Sequence, residues 1–134
     1  MEWKLELVPI PVSDVDRAKA FYTEKVGFDE DLDRSTGDEF RVVQLTPPGS
    51  ACSIAIGTGI IDTPPGSVRG LQLVVPDIDA ARAELLERGA EVSDVQHFDG
   101  SAWRPGGGGD WNSFAFFSDP DGNSWALQQR PGRE

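Results

Sequence analysis

The stretch Val12-Ser13-Asp14-Val15-Asp16-Arg17-Ala18-Lys19-Ala20-Phe21-Tyr22, running into Val26-Gly27-Phe28, decides the fold because it returns in altered form 63 residues later. At that offset Val12, Asp14, Asp16, Ala18, Ala20 and Glu24 meet Val75, Asp77, Asp79, Ala81, Ala83 and Glu87. Val15 meets Ile78 and Lys19 meets Arg82. Each copy then runs to a glycine, Gly27 or Gly89, with one extra residue in the first. A duplication of this length points to a doubled supersecondary unit, since a solenoid needs at least three copies.

Working outward, each copy reads as βαβββ. In the first, residues 5–12 alternate as a strand with Val8, Ile10 and Val12 on one face. Pro9 and Pro11 lack the N–H that an interior strand needs on both sides, which makes this strand edge-like or interrupted. Ser13 and Asp14 supply N-cap chemistry, and Val15, Ala18, Tyr22 and Val26 recur at helical spacing, so the pattern predicts a helix over 14–26. Residues 28–33, 40–46 and 51–57 read as three further strands separated by turn-forming segments.

The second copy predicts strand 70–75, helix 77–88, and strands 91–95, 113–118 and 124–129. Its middle strand falls near 99–112, a long stretch carrying Gly106-Gly107-Gly108-Gly109 that reads as a lid or as a surface insertion. No Gly-Lys-Ser/Thr follows these glycines, so they are not a phosphate loop. The expected organisation is a single domain over 1–134, with module 1 at 1–60, a linker at 61–68, module 2 at 69–129 and a frayed tail at 130–134.

With 12 Lys+Arg against 23 Asp+Glu, the net charge is −11, which disfavours nucleic acid and anionic membrane as partners and suits neutral or cationic small ligands. Cys52 is the single cysteine, so no intrachain disulfide forms; it reads as a packed small residue. No signal-length apolar run occurs, and a cytoplasmic location is expected.

Two segments, Val12 to Phe28 and Phe117-Ser118-Asp119-Pro120-Asp121-Gly122-Asn123-Ser124-Trp125, together resemble the vicinal oxygen chelate superfamily of glyoxalases, extradiol dioxygenases and bleomycin-resistance proteins. The resemblance implies an α+β fold in which two βαβββ modules form a half-open, barrel-like sheet with the helices outside. It implies a homodimer, and in the metal-dependent members four ligands, usually His, Glu or Gln, projecting into a cleft.

Carried onto this chain, those four positions fall on Leu7, the segment Ser53-Ile54-Ala55, Gly70 and Ala126, none of which supplies an imidazole or carboxylate. A two-residue shift brings in only Gln72 and Gln128, whose amides make a weak transition-metal site. No metal, cofactor or catalytic residue is therefore assigned. His97, the single histidine, reads as structural.

What remains is a roomy, mostly apolar face. Candidate ligand-binding residues are Leu7, Phe40, Gln44, Ser53 and Ala55 in the first copy, with Gln72, Trp103, Trp111, Phe114, Ala126 and Gln128 in the second. The aromatics suit a planar or apolar ligand and the glutamines its orientation. The function expected is metal-free binding of a small organic molecule, such as sequestration of an antibiotic or aromatic metabolite. The alternative is a lyase, isomerase or oxygenase of the same superfamily, with misplaced ligands or with Gln, Tyr22, His97 or Asp99 in acid–base roles.

Overall fold

The computed structural model describes residues 1–132, so the expectation for the tail lies outside the described residues at positions 133 and 134. The chain divides into two compact units. One is Met1–Val68 together with Asp119–Asn123; the other is Arg69–Ser118 together with the chain from Ser124 onward.

Unit 1 runs β1 (Leu7–Pro9), α1 (Val15–Ala20) continued by a π-helical segment (Phe21–Val26), β2 (Asp29–Thr36), β3 (Phe40–Thr46) and β4 (Ser53–Thr58). The sheet order is β1-β4-β3-β2, with β1 parallel to β4. Ser53 N donates to Glu6 O at 2.9 Å and Ile10 N to Ala55 O at 2.8 Å, so the even-numbered backbone of this strand faces β4. Pro9 and Pro11 therefore place their missing N–H on the outer edge, where it costs no ladder bond and blunts the edge.

Asp14 starts the helix in extended conformation, its Oδ1 accepting from Arg17 N at 3.0 Å. Gly27 stops it at φ 89°, a left-handed position open to glycine at little cost. Between them the expected regular helix widens into a π-turn. The first copy has one more residue between its cap and its glycine than the second, and a helix takes up a single inserted residue by such widening. The α1 side of the sheet buries Ile10, Val43, Leu45, Ile54 and Ile56 with Ala18 and Tyr22. On its rim Asp33 accepts from Arg41 and Lys19, and Arg41 also reaches Asp16 at 2.8 Å.

Unit 2 runs β5 (Leu71–Val75), α2 (Ile78–Glu87), β6 (Gln96–Phe98), β7 (Trp103–Pro105), β8 (Phe114–Ser118) and β9 (Ser124–Gln129), in sheet order β5-β9-β8-β6-β7. Asp77 caps α2 as Asp14 caps α1, with Oδ1 accepting from Ala80 N at 3.1 Å. The core under α2 holds Ile78, Leu85, Ala115, Phe117, Trp125 and Leu127.

The strand expected at 91–95 is absent, and regular pairing begins only at β6. Ser93 explains this. Its N donates to Phe116 O, but Phe116 N donates to the Ser93 hydroxyl instead of to a backbone carbonyl, and Ser93 O is taken by Arg82 Nε. Side chains have replaced half of the ladder.

The turn between β8 and β9 belongs to unit 1. Buried Asp119 accepts from Tyr22 Oη at 2.7 Å, from Asn123 Nδ2 at 2.8 Å, and from the backbone N of Asp121 and Asn123. Asn123 Nδ2 also reaches Pro11 O at 2.8 Å, and Asp121 accepts from Ser13 N at 3.1 Å. The two segments that carry the family resemblance are thus hydrogen-bonded to each other. Their joint presence in the sequence has a single structural cause.

Candidate functional site

In each unit one sheet face carries the helix and the other is turned away from it. In unit 1, Lys19 and Asp16 of α1 engage Asp33 and Arg41, which places those residues and their alternation partners Val43 and Leu45 on the helix side. Phe40, Val42, Gln44 and Thr46 therefore project from the opposite face. Register puts Leu7 beside Ser53 and Gln44 beside Ala55, so all five sequence-nominated residues of this half share that face. Phe40 is 41% exposed, whereas Ser53 and Ala55 are buried.

In unit 2 the face turned away from α2 carries Gln72 beside Ala126, and Phe116 beside Ala126 on the other side. Phe114 sits beside Gln128. Phe98 and Trp103 pair across β6 and β7. Trp103 stands edge-on to Phe114 and Phe116, at ring-centroid distances of 5.5 Å to each, and lies 5.6 Å from Phe98. Phe114 and Phe116 are parallel within 5°. Despite these mutual contacts Trp103 remains 47% exposed and Phe98 42%. An apolar cluster left open to water in this way is a place where burial by a ligand is favourable. Beside it lies a depression of about 270 Å³ lined by Gly70, Phe116, Ser118, Ser124 and Ala126 among others. Gly70 and Ala126, two of the positions onto which the family resemblance carries metal ligands, line this depression and offer no side-chain donor.

The long glycine-bearing segment is stapled, not slack. Asn112 Oδ1 accepts from Phe98 N at 3.0 Å and its Nδ2 donates to Phe98 O at 2.7 Å. Gly108 N donates to Asn112 O and to the buried Ser113 hydroxyl. His97 Nδ1 pairs with Gly106 O at 2.9 Å, a structural bond. A Cβ on Gly108 would lie 2.6 Å from Asn112 O and 2.9 Å from His97 Cβ, so glycine there serves close packing. At the end of the segment Trp111 adopts φ 62°, the single non-glycine residue with positive φ among the described residues, and is 52% exposed. Gln128 Nε2 holds its carbonyl at 2.9 Å. The sequence pattern suggests that Gln128 orients a ligand; in the structure its Nε2 donates to the Trp111 backbone carbonyl.

The acid–base candidates are committed elsewhere. Tyr22 is fully buried on Asp119. Asp99 accepts from Arg104 Nε and from the backbone N of Ser101 and Ala102; the Arg104 bond first, then those amides, hold its carboxyl well below the usual range. As for a metal, Leu7, the segment Ser53-Ile54-Ala55, Gly70 and Ala126 do not fit one, and among the described residues no group of three or more His, Cys, Asp or Glu side chains is placed to hold an ion. No helix among them is long and apolar enough to cross a membrane.

A residue the sequence reading missed is Asp31. The β2–β3 register slips between Glu30 and Leu32, leaving Asp31 as the extra residue of a bulge. The bulge turns its carboxylate toward Gln44 and Thr46, away from α1. An alternating acidic strand gives no signal of where such a slip falls.

Comparison with known proteins bears on the family and the fold. The family model for the Glyoxalase/Bleomycin resistance protein/Dioxygenase superfamily matches residues 4–127. TnmS3, an antibiotic binding protein from Streptomyces sp. CB03234, is 38% identical in a structural match with a TM-score of 0.79, covering 97% of this chain and 98% of its own. A glyoxalase/bleomycin resistance protein from the same organism is 39% identical, with a TM-score of 0.74 and coverage of 94% and 100%. The uncharacterized protein YetH of Bacillus subtilis (strain 168) is 27% identical over 130 residues, 91% of this chain and 94% of its own.

Proposed function

We propose that this chain, which belongs to the glyoxalase/bleomycin resistance protein/dioxygenase superfamily, is a metal-free binding protein that sequesters a small, flat organic molecule such as an antibiotic or aromatic metabolite. The observation that carries the reading is the open aromatic cluster of Trp103, Phe98, Phe114 and Phe116 on the face of unit 2 turned away from α2. Offset and edge-on aromatic contacts reward a planar ligand beyond the area it buries. Trp111, whose backbone carbonyl accepts from Gln128 Nε2, adds a second exposed aromatic surface.

Antibiotic binding by TnmS3 supports the ligand class, and the donor-poor positions Leu7, Ser53, Gly70 and Ala126 support binding without a metal. Leu7, Phe40, Gln44, Ser53 and Ala55 are assigned as further ligand-facing residues, with Gln72 and Ala126 flooring the aromatic patch. The protein acts in the cytoplasm as a homodimer on this reading, the dimer being checked by sedimentation.

The test is a thermal-shift screen in EDTA against antibiotics and polycyclic aromatic metabolites. A ligand at a large excess over its Kd raises the melting temperature by on the order of 5–10 °C. Trp103→Ala is expected to weaken that ligand by roughly tenfold or more while leaving the free protein folded. A shift seen solely with a divalent metal present would sink the reading in favour of an enzyme of the superfamily.

A further inference from the structure

Two carboxylates of β2 differ by two positions and by everything around them. Asp33 faces α1 and is neutralised by Arg41 and Lys19, at 2.8 Å to each. Asp31, delivered to the other face by the bulge, has no cationic partner among the described residues. Its partners are neutral and ordered. Gln44 Nε2 lies 3.4 Å from Ser53 Oγ, the Ser53 and Thr46 hydroxyls are 2.6 Å apart, and Thr46 Oγ1 donates to Asp31 Oδ2. Because Thr46 spends its one hydrogen on the carboxylate, the Ser53 hydroxyl must donate to Thr46, and the chain of donors runs from Gln44 to Asp31. Gln44 Nε2 also reaches Asp31 Oδ2 directly at 3.4 Å.

This chain consumes Oδ2 and leaves Asp31 Oδ1 and Gln44 Oε1 as acceptors without a hydrogen bond among the described residues. Its root is a buried hydroxyl, Ser53 being 5% exposed. No ion pair offsets this carboxylate among the described residues, and a net charge of −11 raises the local concentration of cations.

We infer that Asp31 and Gln44 form an anchor for a protonated primary amine, whose several N–H donors match two acceptors on one face. Asp31 supplies the charge and Gln44 the second acceptor. Thr46 and Ser53 are positioning residues that hold the carboxylate. The inference rests on the proposed reading of Gln44 and Ser53 as ligand-facing residues of unit 1, and the aromatic cluster of unit 2 takes no part in it.

The test is a titration of the 15N-labelled full chain at pH 7 and low salt with benzylammonium chloride and, separately, with benzyl alcohol. The Gln44 side-chain amide is expected to shift saturably with the ammonium at a concentration roughly tenfold lower than with the alcohol. Asp31→Asn removes that preference, while Glu39→Gln, which changes net charge equally on an exposed residue, leaves it intact. Dispersed spectra of both variants establish that they fold. Equal response to both probes, no response at Gln44, a preference that survives Asp31→Asn, or its loss in Glu39→Gln overturns the inference. The indole signals of Trp103 and Trp111 report the aromatic patch in the same spectra, so a failure there is read separately.

Discussion

Unit 1 and unit 2 descend from the same βαβββ pattern, yet the faces turned away from their helices have opposite character. Unit 1 presents a hydrogen-bonded polar group, Asp31, Gln44, Thr46 and Ser53. Unit 2 presents three phenylalanine rings around Trp103. The helix-side faces, by contrast, are alike in being aliphatic and aromatic core under a helix capped by aspartate. The difference teaches that the duplicated part is the scaffold. Residues facing the helix answer to packing density, whereas those facing away are free to diverge toward ligands.

The sharpest break between the units is the 119–123 turn, which leaves its own hairpin to join unit 1. Asp119→Ala removes the carboxylate acceptor of the buried Tyr22 hydroxyl and one of the two acceptors of Asn123 Nδ2, and is expected to cost about 2–5 kcal/mol in urea unfolding. A cycle with Tyr22→Phe should show that the two losses do not add. Full additivity would mean that the turn and the helix are uncoupled.

Next in size is the contrast between adjacent glycines in unit 2. Gly108→Ala meets Asn112 O and His97 Cβ and should destabilise by about 1–3 kcal/mol. Gly109→Ala meets nothing within 4 Å and should stay within about 0.5 kcal/mol. Equal effects would restore the picture of a slack loop.

The caps probe what the copies share. Asp14→Ala and Asp77→Ala are expected to cost about 1 kcal/mol each, because each removes one acceptor from an N-terminal amide. A large inequality between them would show that the π-turn has changed how much α1 depends on its cap.

The smallest effect is one of acid sensitivity. Arg41 first, then Lys19, hold the Asp33 carboxyl well below the usual range. A depressed folded-state pKa contributes stability that is fully present above the ordinary carboxylate pKa of about 4 and lost as pH falls below it toward the folded value. Asp33→Asn should therefore flatten the fall of melting temperature below about pH 4 while lowering it at pH 7. A wild-type slope retained in the variant would assign acid lability elsewhere, with Asp99 next, its carboxyl being depressed by Arg104.

Much of this was legible from residues alone. The Asp14 cap, the start of the second helix and the 40–46 and 124–129 strands fell where the sequence pattern places them. The nine nominated sheet residues outside β7 and the glycine segment share, in each unit, the face turned from the helix, because side-chain alternation is a strict two-residue period. The strand expected at 91–95 failed because a serine hydroxyl took a backbone role, which no periodicity records. Asp31 was missed because a bulge breaks the period that reading relies on.

By itself the sequence determined the duplication, the helix starts and stops, the alternation of the strands and the lack of metal donors at Leu7, Gly70 and Ala126, since each is written in nearest-neighbour chemistry. Tertiary structure alone decided which unit owns the 119–123 turn, where the bulge falls, that Gln128 holds Trp111, and that Trp103 gathers three phenylalanines. Those choices are sums over contacts between residues distant in the chain, and no local pattern encodes such a sum.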